Sequence, residues 1–83
     1  MRRNKYMTTE EMKQTMIARI ENNFVYHAPK NDQLARYQLI RDTAKTFALL
    51  LIDNTPASRE QSLALTQIED AVMWGNASIA RNE

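Results

Sequence analysis

The 83-residue chain has no cysteine, one glycine, two prolines, and only one tryptophan, three tyrosines and two phenylalanines. Without cysteine there is no disulfide and no thiolate chemistry, which fits a reducing compartment. So little glycine and proline disfavours turn-rich sheets and favours long helices. Neither sign of charge dominates. Eleven Lys and Arg against ten Asp and Glu leave a formal charge of +1, without the basic excess of a duplex-DNA binder. Long apolar runs are also missing: the longest, Phe47 to Ile52, is far too short to span a bilayer. The basic start, Met1 to Met7, runs into polar Thr8 to Gln14 where a signal peptide needs an apolar stretch. Finally, there is no glycine-rich phosphate loop, no cluster of metal ligands, and no serine with a plausible base. Glu69 and Asp70 are adjacent, so on a helix they point apart and make no acid–base pair. The expectation is a soluble cytoplasmic protein of one domain, not an enzyme, with no cofactor, no metal and no membrane partner.

What is present is helical periodicity in three blocks, giving an all-α expectation of a long antiparallel hairpin with an additional N-terminal helix. Residues 1–7 are a basic tail. Residues 8–25 open with Thr8 and Glu11 at the capping-box spacing and carry an apolar stripe of Met12, Met16, Ile17, Ile20 and Phe24, expected as adaptable core packing. Pro29 breaks the chain, with Asn31 or Asp32 as the next N-cap. In residues 32–54, Tyr37, Ile40, Ala44, Phe47 and Leu51 repeat as three-four-three-four, the seam of coiled-coil-like packing. The turn Asp53 to Ala57 leads to residues 58–82, where Ser58 and Gln61 form a second capping box and Leu65, Ile68, Val72 and Ile79 recur at helical steps. So short a turn makes the two long helices antiparallel neighbours, with Ile40, Phe47 and Leu51 facing Leu65, Ile68 and Val72. Met73, Trp74, Ala77, Ile79 and Ala80 lie on faces that the hairpin seam alone does not use. They are assigned to contacts with other copies of the chain, because two long helices and a short one cannot enclose their own apolar surface.

The binding chemistry is sparse but specific in kind. Tyr26, His27, Pro29 and Lys30 crowd the break before the second long helix, where N–H groups at a helix start attract anions. Against this stands a plainer account, in which Tyr26 and His27 pack over the hairpin and Pro29 and Asp32 shape the turn. Tyr37, Arg41 and Lys45, four apart, make either a positive rail with an aromatic at one end or an ordinary solvated edge. A nucleotide with phosphodiesters needs stacking surfaces for bases and cations for phosphates. Tyr26, Lys30, Arg41, Lys45 and Arg81 are of those types, and the Asn76 to Arg81 end is a candidate pocket wall.

The run SREQSLALTQIEDAVMWGNASIARNE, with the upstream YHAPKNDQLARYQLIRDTAK, resembles the phage cyclic-oligonucleotide sponges known as the anti-CBASS protein 2 family. The resemblance covers Phe24 to Glu83; the segment before Ile20 lies outside it. It implies a homohexamer of helical hairpins, which captures cyclic dinucleotides and cyclic trinucleotides in separate intersubunit pockets without hydrolysing them. The setting would be an infected bacterial cell, where removing these messengers keeps CBASS effectors inactive. Carried over, it implies Tyr26 as the base-stacking ring, Arg41 as the phosphate partner and Lys30 nearby. For the trinucleotide pocket it implies Arg81, with the Thr43 hydroxyl. Gly75 departs from the alanine expected there. The alternative is a small helical phage protein that binds single-stranded nucleic acid or a host polymerase through its basic N-terminal arm. A purely structural oligomer is a third reading.

Overall fold

A computed structural model describes residues 7–83; the basic arm lies outside them except for Met7. Three helices follow one another: α1 (Thr9–Asn23), α2 (Gln33–Asn54) and α3 (Arg59–Asn82). Each start has a local cause. The Thr8 hydroxyl accepts from the Glu11 amide at 3.1 Å and donates to the Glu11 carboxylate at 3.0 Å. The Ser58 hydroxyl accepts from the Gln61 amide at 3.1 Å. Gln61 does not close its capping box on Ser58. Its side-chain amide reaches further back, to the Thr55 carbonyl and hydroxyl. At the start of α2, Asp32 is the N-cap without a side-chain capping bond; its carboxylate faces Arg36 Nε at 3.1 Å instead. The end of α2 is set by Pro56, which forces Thr55 into extended backbone (φ −134°, ψ 150°) and so out of the helix.

The two long helices, roughly 33 and 36 Å at ~1.5 Å per residue, pack along their length as an antiparallel pair. Their half-buried seam is built from Tyr37, Ile40, Ala44, Ala48 and Leu51 on α2, against Leu65, Ile68, Val72, Gly75 and Asn76 on α3. Among the described residues, only Ile79 and Gln33 are buried outright, at 9% and 5% exposure; Ile79, expected at a contact with another copy, is covered within the single chain. Phe47, expected in the seam, is 54% exposed. It stands to one side of the contact line, and the small Ala48 takes the inner position.

The apolar stripe of α1 is not core. Met12, Met16, Ile20 and Phe24 are all exposed, Phe24 at 85%; Ile17 is half-buried, and no residue of α1 is buried outright. The physical reason lies in placement. The chain between Asn23 and Gln33 turns α1 away from the seam, so its apolar side meets neither long helix along its length. One tie between α1 and the hairpin is polar: the Asn22 side-chain amide donates to the Arg81 carbonyl at 3.2 Å.

Candidate functional site

The expected rail on α2 is present as geometry. Tyr37, Arg41 and Lys45 follow one another along one flank of α2, and α3 supplies the facing wall. A shallow hollow of about 320 Å³ is lined by Tyr37, Arg41, Asn76, Ala77 and Ala80. Beside it, a second of about 300 Å³ is lined by Arg41, Lys45, Ala48, Ile68, Glu69 and Val72 among others. Arg41 is shared by both, so the two hollows form one strip with a guanidinium at its centre. The small side chains of Ala77 and Ala80 keep the upper hollow open.

Electrostatically the strip carries two cations, Arg41 and Lys45, and one carboxylate, Glu69, on the wall of the lower hollow, with no ion pair formed between them. Among the described residues, both ion pairs belong to Arg36, with Asp32 and with Glu83; Arg41, Lys45 and Arg81 have none within 4 Å. Arg41 makes one long bond, from Nη1 to Gln38 Oε1 at 3.5 Å. The nearby Asp42 carboxylate is turned to Gln38 Nε2 at 2.7 Å. An exposed guanidinium free of a carboxylate can meet a phosphate in two-pronged fashion. Asn76 adds a second polar feature, because its Oδ1 is buried and has no hydrogen-bond partner.

The other expected site residues fall elsewhere. Thr43, two residues from both Arg41 and Lys45, is about 200° round the helix from each. It lines the opposite flank, an apolar groove of about 670 Å³ with Leu39, Ile40, Phe47, Ile68 and Val72 among its walls. Tyr26 and Lys30 lie on the irregular segment between α1 and α2, and Tyr26 is 82% exposed. Since α2 rises ~1.5 Å per residue, Arg41 sits roughly 12 Å up the helix from Gln33. Tyr26 lines none of these three hollows. Arg81 is exposed at the far end of α3. Within one protomer, Arg41 is shared by the hollows that hold Asn76 and Lys45, Thr43 faces the other flank, Tyr26 and Lys30 stay on the connecting segment, and Arg81 follows Ala80 at the edge of the upper hollow.

At the start of α2, where an anion was expected, Asp32 makes no side-chain capping bond, and the turn is closed by two bonds between Lys30 and Gln33. The Lys30 amide donates to Gln33 Oε1 at 3.1 Å, and the Gln33 amide donates to the Lys30 carbonyl at 3.0 Å. Asn31 completes the turn with a left-handed φ of 53°, a conformation asparagine tolerates better than most residues. Sequence reasoning passed over the residues that organise this end. Gln33 Nε2 donates to Glu83 Oε1 at 3.4 Å, and Arg36 grips the Glu83 carboxylate with both Nη1 (2.8 Å) and Nη2. The hydrogen bonds from Arg36 hold the Glu83 carboxyl below the usual carboxylate range, with Gln33 adding to the effect, while partial desolvation opposes it. The same bonds raise the already high pKa of Arg36. The available signal was register: reflecting α2 about the Thr55–Ser58 turn puts Gln33 and Arg36 opposite the end of α3.

No curated protein and no solved structure matches the chain. A family model does. The family described as Acb2/Tad1, hairpin domain, matches residues 16–80, from the middle of α1 almost to the end of α3. The match starts eight residues before the stretch that carried the resemblance. It includes Tyr26, Lys30, Arg41, Thr43, Lys45 and Asn76 and stops one residue short of Arg81. With most of its length accounted for by that model, the chain belongs to the Acb2/Tad1 hairpin family, the anti-CBASS protein 2 family of the sequence reading.

Proposed function

We propose that this protein binds cyclic di- and trinucleotide second messengers and holds them without cleaving them, as a homo-oligomer of hairpins with hexamer as the expected stoichiometry. In the cytoplasm of an infected bacterial cell this withholds the messengers from CBASS effectors. The observation that carries the reading is the family match over residues 16–80; membership implies, at a coarse level, binding of cyclic nucleotide signals.

The geometry supports the chemistry. Arg41 and Lys45 give the strip two cations suited to a phosphodiester, while the Asn76 Oδ1 is an acceptor, suited to an N–H or hydroxyl of the ligand and not to its phosphate. Tyr26 presents a free aromatic face on a separate segment, suited to stacking on a base for ~1–3 kcal/mol. A ligand touching both Tyr26 and Arg41 is satisfied by residues from two protomers. Thr43, on the other flank of α2, and Arg81, just beyond Ala80 at the end of α3, are assigned to the second, trinucleotide class of pocket.

Calorimetry against 3′,3′-cyclic GMP–AMP and cyclic tri-AMP tests the reading. Heat of binding is expected with both, and the bound nucleotide should come back intact by chromatography after proteolysis of the protein. Absence of heat with either class rejects the function, and recovery of a linearised nucleotide rejects sequestration in favour of cleavage. Tyr26→Ala and Arg41→Ala are each expected to weaken the dinucleotide by tenfold or more, at ~1.4 kcal/mol per tenfold. Unchanged affinity in both variants removes these residues from the pocket.

A further inference from the structure

The end of the hairpin where α1, α2 and α3 meet is held by two polar chains that converge on the segment between α1 and α2. In the first, His27 donates from Nε2 to the Asn22 carbonyl at 2.8 Å, and the Asn22 side chain donates to the Arg81 carbonyl. In the second, the Lys30 amide donates to Gln33 Oε1, Gln33 Nε2 donates to Glu83, and Arg36 clamps the same carboxylate. Tyr26 lies directly before the first chain's histidine, and Lys30 is the first member of the second.

Gln33 is the centre of this arrangement. It is the most buried polar residue among those described, at 5% exposure. Both ends of its amide are used, one on the connecting segment and one on the residue just beyond α3. A buried amide satisfied at both ends is a strong constraint, because losing either partner leaves a desolvated polar atom. Glu83 lies three residues beyond the matched residues 16–80, within the stretch that carried the resemblance.

We propose that Glu83, acting through Gln33 and Arg36, is a positioning residue that fixes the Tyr26–Lys30 segment against the hairpin and so preorganises it for ligand. Glu83 need not touch the ligand. Its carboxylate orients Gln33, whose Oε1 then holds the Lys30 amide, and the backbone on either side of Pro29 follows. The charged groups around the clamp are Arg36 and Asp32 on the first turns of α2 and Lys30 on the connecting segment, which makes it a closed electrostatic unit. Preorganisation of this kind raises affinity by removing the ordering cost from the binding step.

The role in ligand capture rests on the proposed function; the clamping of the segment does not. Both are read in the full-length chain with Glu83→Ala, a substitution at an exposed position that removes no buried apolar surface. Amide hydrogen exchange of the free protein is expected to quicken at Lys30 by roughly fivefold, the modest effect of losing a solvent-screened ion pair. Glu83→Gln, which keeps an acceptor for Gln33, should fall between the two. Affinity for 3′,3′-cyclic GMP–AMP should drop by a similar factor. In Tyr26→Ala/Glu83→Ala the loss should not exceed that of Tyr26→Ala alone, since coupled residues are not additive. Unchanged exchange at Lys30 overturns the clamp. Faster exchange with unchanged affinity, or strictly additive losses, overturns the positioning role. If the unaltered protein binds no cyclic nucleotide, the functional reading and the positioning role both fall, while the exchange result still decides the clamp.

Discussion

A β-carbon built at position 75 would meet Cδ1 and Cγ2 of Ile40 at 3.9 Å, an ordinary van der Waals contact. Gly75 has no positive φ and lies inside a regular helix, so neither backbone geometry nor the α2 contact requires glycine. It therefore weakens α3 by about 1 kcal/mol relative to alanine. Gly75→Ala is expected to raise the melting temperature by roughly 4–8 °C for a domain of this size, read by circular dichroism at fixed protein concentration. A lower melting temperature would mean that another protomer's atoms approach the Gly75 face more closely than Ile40 does. The same scale explains why some site residues were legible and others were not. Arg41 and Lys45 share a face because they are four apart, and Thr43 is excluded from that face by being two away. Helical arithmetic alone separates them. The unpartnered Oδ1 of Asn76 has no such signature, since it arises from packing against α2.

At the level of elements, helix starts were legible because capping is local: Thr8 with Glu11 and Ser58 with Gln61 are each three residues apart. The α2 stop was legible from Pro56. The α1 stripe was misread because periodicity reports that a helix has an apolar side, not what covers it. The Glu83 clamp was missed because its partners are 47 and 50 positions away, beyond any local pattern. That clamp makes a pH prediction. The folded-state pKa of Glu83 is depressed, so its contribution is fully present above the ordinary unfolded value of ~4.3 and fades as pH falls through the lower folded value. Melting temperature of the unaltered protein should exceed that of Glu83→Gln near neutrality, and the gap should close below about pH 4. A gap that persists in strong acid would show that the carboxylate's charge does not hold the end of α3. The effect is modest, since the pair is partly exposed and screened by solvent.

The whole molecule has the proportions of a part rather than a finished body. Its radius of gyration is 18.9 Å and its extents are 59 × 33 × 25 Å, against roughly 12 Å for the radius of a compact chain of this length. Its accessible surface, 7329 Å², exceeds by about 2,000 Å² what a compact monomer of this mass exposes, an excess on the scale of a stable interface. The exposed apolar residues are grouped: Leu39 and Phe47 on the walls of the 670 Å³ groove, Met73 and Trp74 on α3, and Met12, Met16 and Ile20 on α1. If association covers these faces, stability depends on protein concentration, because an assembled state is favoured by mass action. Phe47 separates that account from a purely monomeric one. Being more than half exposed in the single chain, it contributes little to the α2–α3 seam, so Phe47→Glu should leave helix content nearly unchanged. In a buried interface the same carboxylate would be desolvated without a partner, at a cost of several kcal/mol per protomer. The expected result in native mass spectrometry and sedimentation is a single closed oligomer for the unaltered chain and a shift to monomer for Phe47→Glu. The melting temperature should rise with concentration only in the former. A monomer in both, or an oligomer indifferent to the charge, would place the protomer contacts elsewhere. Loss of cyclic nucleotide binding in Phe47→Glu, with Tyr26 and Arg41 intact, would then mark the pocket as one that two protomers build together.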